Sequence, residues 1–423
     1  MQTLSNNSAM IEIEPISEPY TKIKVIGVGG GGNNAINSMA LSNIYGVELI
    51  AVNTDKQALE RSKAHLKVQI GENITKGLGA GADPNIGRQA ALDDKEILMS
   101  CLEGSDMVFI TAGMGGGTGT GAAPVIASIS KELGILTVSI VTKPFRYEGR
   151  RRTINAEEGI KELKKYSDTF ILIPNDKIRQ IVPKDTPLIK AFEIADDVLR
   201  QSIQGISDII LIPGHINVDF ADVKSVMTNS GRAVIGLGIA TGENSAVEAA
   251  RKAISNQLLE DTSIQEAKGI LLNITGGLDF SIDAFDEASS LIANSAHEDA
   301  NIILGHVINP DLVDEVRVTV IATGIDNMSV PIDIPGVKPI RIPYERERKP
   351  STTFFNSSRV INKTLSERQP EENSNIDFSN SQATSHVKKS ADKDSNDVNI
   401  AQPSIIQDDD IYDIPTFLRR KKG

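Results

Sequence analysis

The chain has 423 residues, a formal net charge of −12 and one cysteine, Cys101. That length can bury two cores, and a single thiol excludes a disulfide framework and suits a reducing cytoplasm. With no tryptophan and only 4% aromatics, this acidic chain lacks the basic footprint and stacking platforms that nucleic-acid binding needs.

Residues 1–20 read as a loose N-terminal arm. Lys22–Gly27 is a predicted strand followed by a helix over Asn33–Ser42, and Val47–Val52 is a second strand ending at Asn53-Thr54-Asp55. Asp83 at the N-cap and Pro84 at the first helical position open another helix. Strands Met107–Ala112, Ile135–Val141 and Thr169–Ile173 alternate with helices near 122–133 and 153–166. Such alternation, with strands apolar on both faces, implies a mostly parallel sheet sandwiched by helices.

The longest periodic stretch is Pro187–Ile210, where Leu188, Phe192, Ala195, Leu199, Ile203 and Ile206 recur at three or four residues. It predicts a helix of roughly 33 Å that runs through the molecule and joins two domains. Beyond it, strands are predicted at Ala233–Ala240, Ile270–Thr275, Asn301–Ile308 and Glu315–Ala322, with helices at Ser245–Leu259 and Asp283–Ser295. The organisation is therefore a first α/β domain over 21–186, a connecting helix over 187–210 and a smaller α/β domain over 211–343.

Residues 344–407 carry nine Lys/Arg against nine Asp/Glu with almost no apolar clustering, and residues 408–423 carry four of each sign. The whole −12 thus belongs to residues 1–343. The first of these segments is expected to be a disordered linker. In the second, Ile414, Phe417 and Leu418 would form one apolar face of a short helix capped by Asp413. A helix that short is marginal alone, so it reads as a peptide that folds onto a partner's groove. No run of 18 apolar residues and no secretory leader pattern occurs, so the chain is not expected to insert directly into a membrane.

Two glycine-rich turns carry the chemistry. Gly27-Val28-Gly29-Gly30-Gly31-Gly32 satisfies G-x-G-x-x-G after a strand, and Met107–Gly121 (MVFITAGMGGGTGTG) runs from a strand into Gly and Thr alone before a helix. Such loops aim backbone N–H groups and helix N-termini at a polyanion, with Thr118 and Thr120 as hydroxyl donors. A dinucleotide site would use the first turn, with Asp55 holding the ribose. It leaves the second turn and Gly77-Leu78-Gly79-Ala80-Gly81 unexplained. The lysine-bearing P-loop is absent.

GVGGGGNNA at 27–35, GGGTGTG at 115–121, NVDFADV at 217–223 and DIPTFLRR at 413–420 together resemble FtsZ, the bacterial cell-division family of the tubulin superfamily. The resemblance implies a tubulin-like α/β fold: a nucleotide-binding parallel-sheet domain, a long central helix, a smaller α/β C-terminal domain and a disordered tail. It implies GTP as substrate and GDP as product, with Mg2+ expected. Gly30, Gly31, Gly32, Asn33 and Asn34, with Gly115, Gly116, Gly117, Thr118, Gly119, Thr120 and Gly121, would wrap the phosphates. Glu148 and Arg152 in FRYEGRRR would lie near ribose and phosphates, and Asn175 near the sugar or base. Asp196 matches the guanine-reading position, with Phe192 one turn earlier to pack on the base. A carboxylate accepts from both the ring N–H and the exocyclic amine of guanine, a donor pair that adenine does not offer.

No general base is evident among the nucleotide loops. Asp219 and Asp222 lie three apart at the start of a helix, with Asn217 just before them. They follow the far end of the long helix, about 30 Å from the nucleotide by helical rise. The resemblance implies that this loop, 214–223, completes the site of the next subunit. Hydrolysis would then require a head-to-tail filament, a heterologous contact. It further implies a cytoplasmic division protein concentrated at mid-cell beneath the inner membrane, held there by a membrane-tethering adaptor and other division proteins through Asp413–Arg420. A plasmid-partition filament of the same superfamily, or an NAD-binding oxidoreductase, is the alternative. His215 has no assigned role beyond an interface or surface histidine.

Overall fold

The strands of the first half are short and, apart from the edge strand Leu66–Gln69, apolar, and each leads into a helix. The computed structural model describes residues 21–325 apart from 184, 213, 215 and 256–263. The expected arm, linker and docking peptide, and His215, lie outside the described residues.

In chain order, β1 (Ile23–Val28), α1 (Gly29–Leu41), β2 (Val47–Asn53), α2 (Lys56–Glu60), β3 (Leu66–Gln69), α3 (Glu72–Thr75), α4 (Pro84–Asp93) and α5 (Lys95–Leu102) come first. Then follow β4 (Met107–Gly113), α6 (Thr118–Glu132), β5 (Leu136–Lys143), α7 (Arg150–Leu163), β6 (Thr169–Pro174) and α8 (Asn175–Ile181). The long α9 (Leu188–Leu211) and the short α10 (Phe220–Met227) lead into β7 (Gly231–Thr241), α11 (Ser245–Ile254), β8 (Gly269–Gly276), α12 (Ile282–Asn294), β9 (Asn301–Ile308) and β10 (Glu315–Thr323). The strands form one sheet of order β3-β2-β1-β4-β5-β6-β7-β10-β8-β9.

The pairs from β3 to β6 are all parallel. β7 joins β6 through only Thr169–Ile171 against Gly231–Ala233. It then pairs antiparallel with β10, which pairs antiparallel with β8, while β8 and β9 are parallel. The C-terminal part is thus a mixed sheet that continues the parallel one.

Two predicted helix starts move. α1 begins at Gly29 and α6 at Thr118, so both glycine turns supply the first helical turn as well as the loop before it. Periodicity misses those turns because glycine has no apolar side chain to count. At α4 the predicted cap is in place, with Asp83 Oδ1 accepting from the Asn85 N–H at 2.9 Å.

α9 has 24 residues, about 36 Å at helical rise. Ala195, Val198, Leu199, Ile203, Ile206 and Ile209 bury its inner face in a core shared with Ile36 and Met39 of α1, Val138 of β5 and Leu271 of β8. Its early residue Phe192 meets Phe145, just beyond the end of β5. Its last residue, Leu211, lies against Gly46, just before β2 begins. The helix therefore runs from the carboxyl edge of the parallel strands to their amino edge.

Candidate functional site

β1 and β4 are neighbours, with Val28 opposite Ala112, and from there the strand order runs outward in both directions. Such a switch point opens a crevice at the carboxyl edge, where open α/β sheets bind ligands. α1 and α6, of 13 and 15 residues, both begin in it. Their unsatisfied N–H groups and partial positive charges converge on one place.

The absence of side chains lets the two turns interlock. Gly29 has φ +71°, and a Cβ there would stand 2.7 Å from the Gly119 nitrogen. A Cβ on Gly31 would meet the Gly113 backbone at 3.1 Å, and one on Gly32 would meet Thr111 O at 2.5 Å. Gly115, at φ +102°, abuts the Arg152 carbonyl. Gly117 and Gly121 serve packing instead: the first lies against the Ala80–Asp83 turn and the second against Pro84 and Arg88 of α4. Gly30 and Gly116 differ from all of these, since a Cβ on either would meet nothing within 4 Å. Together with exposed Gly31 and Asn34, these two form the open lip of the cradle.

Polar side chains brace the turns from behind. Asn33 is buried, and with its amide turned to satisfy its neighbours it donates to Gly27 O and Gly29 O and accepts from Asn53 Nδ2. Its side chain is thus used within the turn. Thr120 Oγ1 accepts from the Gly115 N–H at 2.8 Å, and Thr118 Oγ1 lies 2.6 Å from Thr54 Oγ1. Asp55, the acid a dinucleotide site would use, caps α2 by accepting from the Ala58 N–H at 3.1 Å.

Glu148 and Arg152 form an ion pair at 2.7 Å, and Glu148 also accepts from the Phe145 N–H at 2.9 Å. Phe145 in turn meets Phe192 edge-on with ring centroids 5.4 Å apart. Asn175, at the start of α8, is 5% exposed and its buried Oδ1 has no hydrogen-bond partner. An orphaned acceptor of this kind usually awaits a donor from a ligand or water.

The two adjacent acids of α9 have different surroundings. Asp197 accepts from Arg200 Nε at 2.7 Å and from Gln201 Nε2 at 2.6 Å. Asp196, four residues beyond Phe192, has no hydrogen bond among the described residues. Burial, with Glu193 as a lesser cause, pushes its carboxyl up to about 8.

The remaining candidates sit at the other end of α9. Asn217 Oδ1 accepts from the Gly214 N–H at 2.6 Å, closing the turn before α10. Asp219 is the N-cap residue of α10 and Asp222 lies in its first turn, both exposed. Val218 anchors the loop in the core, and the His306 N–H of β9 donates to Ile216 O at 3.1 Å. The cradle, Glu148, Arg152, Asn175, Phe192 and Asp196 thus cluster at the carboxyl edge, while Asn217, Asp219 and Asp222 lie by the opposite edge. Sequence reasoning missed Asn53 and Thr54; their place at a strand end beside a glycine turn was the available signal.

The Tubulin/FtsZ family, GTPase domain, matches residues 22–183, and the FtsZ family, C-terminal domain, matches residues 231–326. An empty FtsZ dimer from M. jannaschii is 45% identical, with a TM-score of 0.71 over 73% of this chain and 90% of its own. A point mutant of FtsZ from M. jannaschii is likewise 45% identical, with a TM-score of 0.70 over 72% and 91%. CetZ2 from Haloferax volcanii, solved as a GTPγS-bound protofilament, shares the fold at 21% identity, with a TM-score of 0.60 over 71% and 92%. With both domains matched and 45% identity across nearly three quarters of its length, the chain belongs to the FtsZ family of tubulin-like GTPases.

Proposed function

We propose that this GTPase assembles head to tail and hydrolyses GTP only where two subunits meet. The observation that carries the reading is the separation of the two half-sites across a helix of 24 residues. Cradle and acids stand at opposite edges of one subunit, so one molecule cannot bring its own carboxylates to its own phosphates. The next subunit can, and repeating that heterologous contact builds a filament.

The exposed apolar side chains fit such stacking. Leu78, Tyr147, Leu188 and Ile189 border the nucleotide edge. Exposed Ile216 borders the opposite end, where it bridges His306, which stacks on Phe280, and Leu278, Ile282 and Val313 are exposed on the segments that follow β8 and β9. Burying both sets in one contact removes apolar area from water.

In the pocket, N–H groups of the 29–34 and 115–121 turns hold the phosphates. Asn175 Oδ1 takes a sugar or base donor, Phe192 packs on the base, and Asp196 accepts guanine's two donors. Asp219 and Asp222 of the neighbour polarise the attacking water, with Asn217 shaping their loop. Phosphoryl transfer of this kind is mostly positioning and charge stabilisation. Among the described residues no three His, Cys, Asp or Glu side chains group to hold a metal. Mg2+, expected with the nucleotide, would be held largely by the triphosphate oxygens, as it commonly is.

The cellular reading follows the family: a scaffold of the division ring at mid-cell, tethered by an adaptor that grips Asp413–Arg420. Among the described residues no helix is long and apolar enough to cross a membrane. GTP turnover against protein concentration tests the assembly requirement. Turnover per subunit should rise steeply above a threshold; a constant value down to high dilution contradicts it.

A further inference from the structure

We propose that Thr54 is a positioning residue for the nucleotide phosphates, acting through the Thr118 hydroxyl. The proposal rests on the reading that Thr118 faces the phosphates. Thr54 follows β2, is 0% exposed, and lies where three nucleotide-edge segments meet. Its N–H donates to Asn53 Oδ1 at 2.9 Å, and its carbonyl accepts from Thr75 Oγ1 and the Gly79 N–H, both at 3.3 Å. Its hydroxyl is paired with Thr118 Oγ1, the first residue of α6, at 2.6 Å. Every polar atom of Thr54 is thus engaged inside the protein, so its influence on a ligand must pass through a neighbour.

Only one proton can lie between two hydroxyl oxygens, and each hydroxyl has one to give. When an anion occupies the cradle, the Thr118 proton is best used on a phosphate oxygen. The proton between the pair must then come from Thr54. A directed chain results, Thr54 O–H to Thr118 Oγ1 and Thr118 O–H to phosphate, in which each bond polarises the next. The same residue's carbonyl holds the Thr75–Gly79 turn, so the α6 N-terminus and that turn are referenced to one fixed point.

Equilibrium binding of labelled GTP to the full chain, below its assembly threshold, tests this with a double-mutant cycle. Thr54→Val and Thr118→Val should each weaken GTP by about three- to tenfold, the range expected for one lost hydrogen bond. The double variant should bind no more weakly than Thr118→Val alone, because Thr54 acts only through that hydroxyl. Thr54→Ser should restore binding, and turnover at saturating GTP and protein should fall less than affinity does. Multiplicative losses in the double variant, or failure of serine to rescue, would overturn the proposal. So would unchanged affinity in Thr54→Val while Thr118→Val is weakened. Unchanged affinity in Thr118→Val would instead remove the phosphate-facing reading beneath it, and the proposal with it. If Thr54→Val folds poorly, Thr54→Cys, of similar size and a weak donor, takes its place in the same cycle.

Discussion

Gly29 and Gly119 lie so close that a Cβ on the first would stand 2.7 Å from the backbone nitrogen of the second. The two glycine turns are therefore one object, a cradle whose inner glycines serve contact between backbones and whose outer glycines, Gly30 and Gly116, are left open for the proposed ligand. That division can be separated by mutation. Gly29→Ala, strained by its φ of +71° and by the close contact, should lower thermal stability and abolish GTP binding together.

Gly30→Ala and Gly116→Ala should behave differently, since each new methyl enters open space. Melting temperature should stay within a few degrees of the parent, because substitutions away from packed contacts cost about 0.5 kcal/mol or less. GTP affinity should nevertheless fall by roughly tenfold, as the methyl displaces phosphate from the N–H groups. Calorimetric melts and labelled-GTP binding decide the matter. Unchanged affinity in both variants would mean that the phosphates do not lie over this lip.

A second prediction concerns Asp196, whose carboxyl burial pushes up to about 8. At pH 7 the empty protein therefore holds a proton there, whereas guanine's two donors require the carboxylate. GTP binding should release a proton near neutral pH and tighten as pH rises toward 8. Calorimetry in buffers of different ionisation enthalpy reads this directly, and Asp196→Asn should abolish the release. The sign for stability is the reverse of a paired carboxylate. Both states are protonated below about pH 4. Between there and 8 the unfolded chain sheds a proton that the fold retains, so the stability of the empty protein declines across that window. Asp196→Ala should weaken GTP far more than it changes ATP binding. An unchanged base preference would move the role elsewhere.

The sequence made some of this legible and hid the rest for physical reasons. α9 stood out because its apolar residues recur along one buried face, and Asp83-Pro84 announced α4 because capping is local. β3 escaped because Leu66–Gln69 is a four-residue edge strand with a single fully buried side chain, Val68. The continuity of the sheet could not be read, since three residue pairs between β6 and β7 leave no periodic trace. The glycine turns pointed to a phosphate site, but not to which glycines would face a ligand. Within the two turns only Gly30 and Gly116 prove open, a distinction that depends on contacts remote in the chain, such as Gly29 with Gly119 and Gly31 with Gly113. The bond between Thr54 and Thr118 spans 64 residues and had no local signature.

Residues 344–423 carry none of the nucleotide motifs. A chain ending at Pro343 should bind GTP, assemble and hydrolyse it at rates close to those of the full chain. It should lose recruitment to adaptor-bearing liposomes in sedimentation assays, since Ile414, Phe417 and Leu418 are gone. Full-length protein sedimenting strongly without an adaptor, even at high salt, would replace adaptor docking with direct lipid binding.

The central claim is that pocket and acids come from different subunits, and complementation in a mixture tests it most directly. Asp219→Ala keeps a pocket but has a crippled loop; Gly116→Ala keeps its loop but has a crippled pocket. At a GTP concentration that fills the parent pocket but not that of Gly116→Ala, each alone should turn GTP over slowly. Mixed in equal amounts, they should recover substantial turnover, because the pocket of the first meets the intact loop of the second. Activity that stays at the sum of the two separate variants at every ratio, while both still bind each other, would place the acids in the subunit's own site and contradict the account.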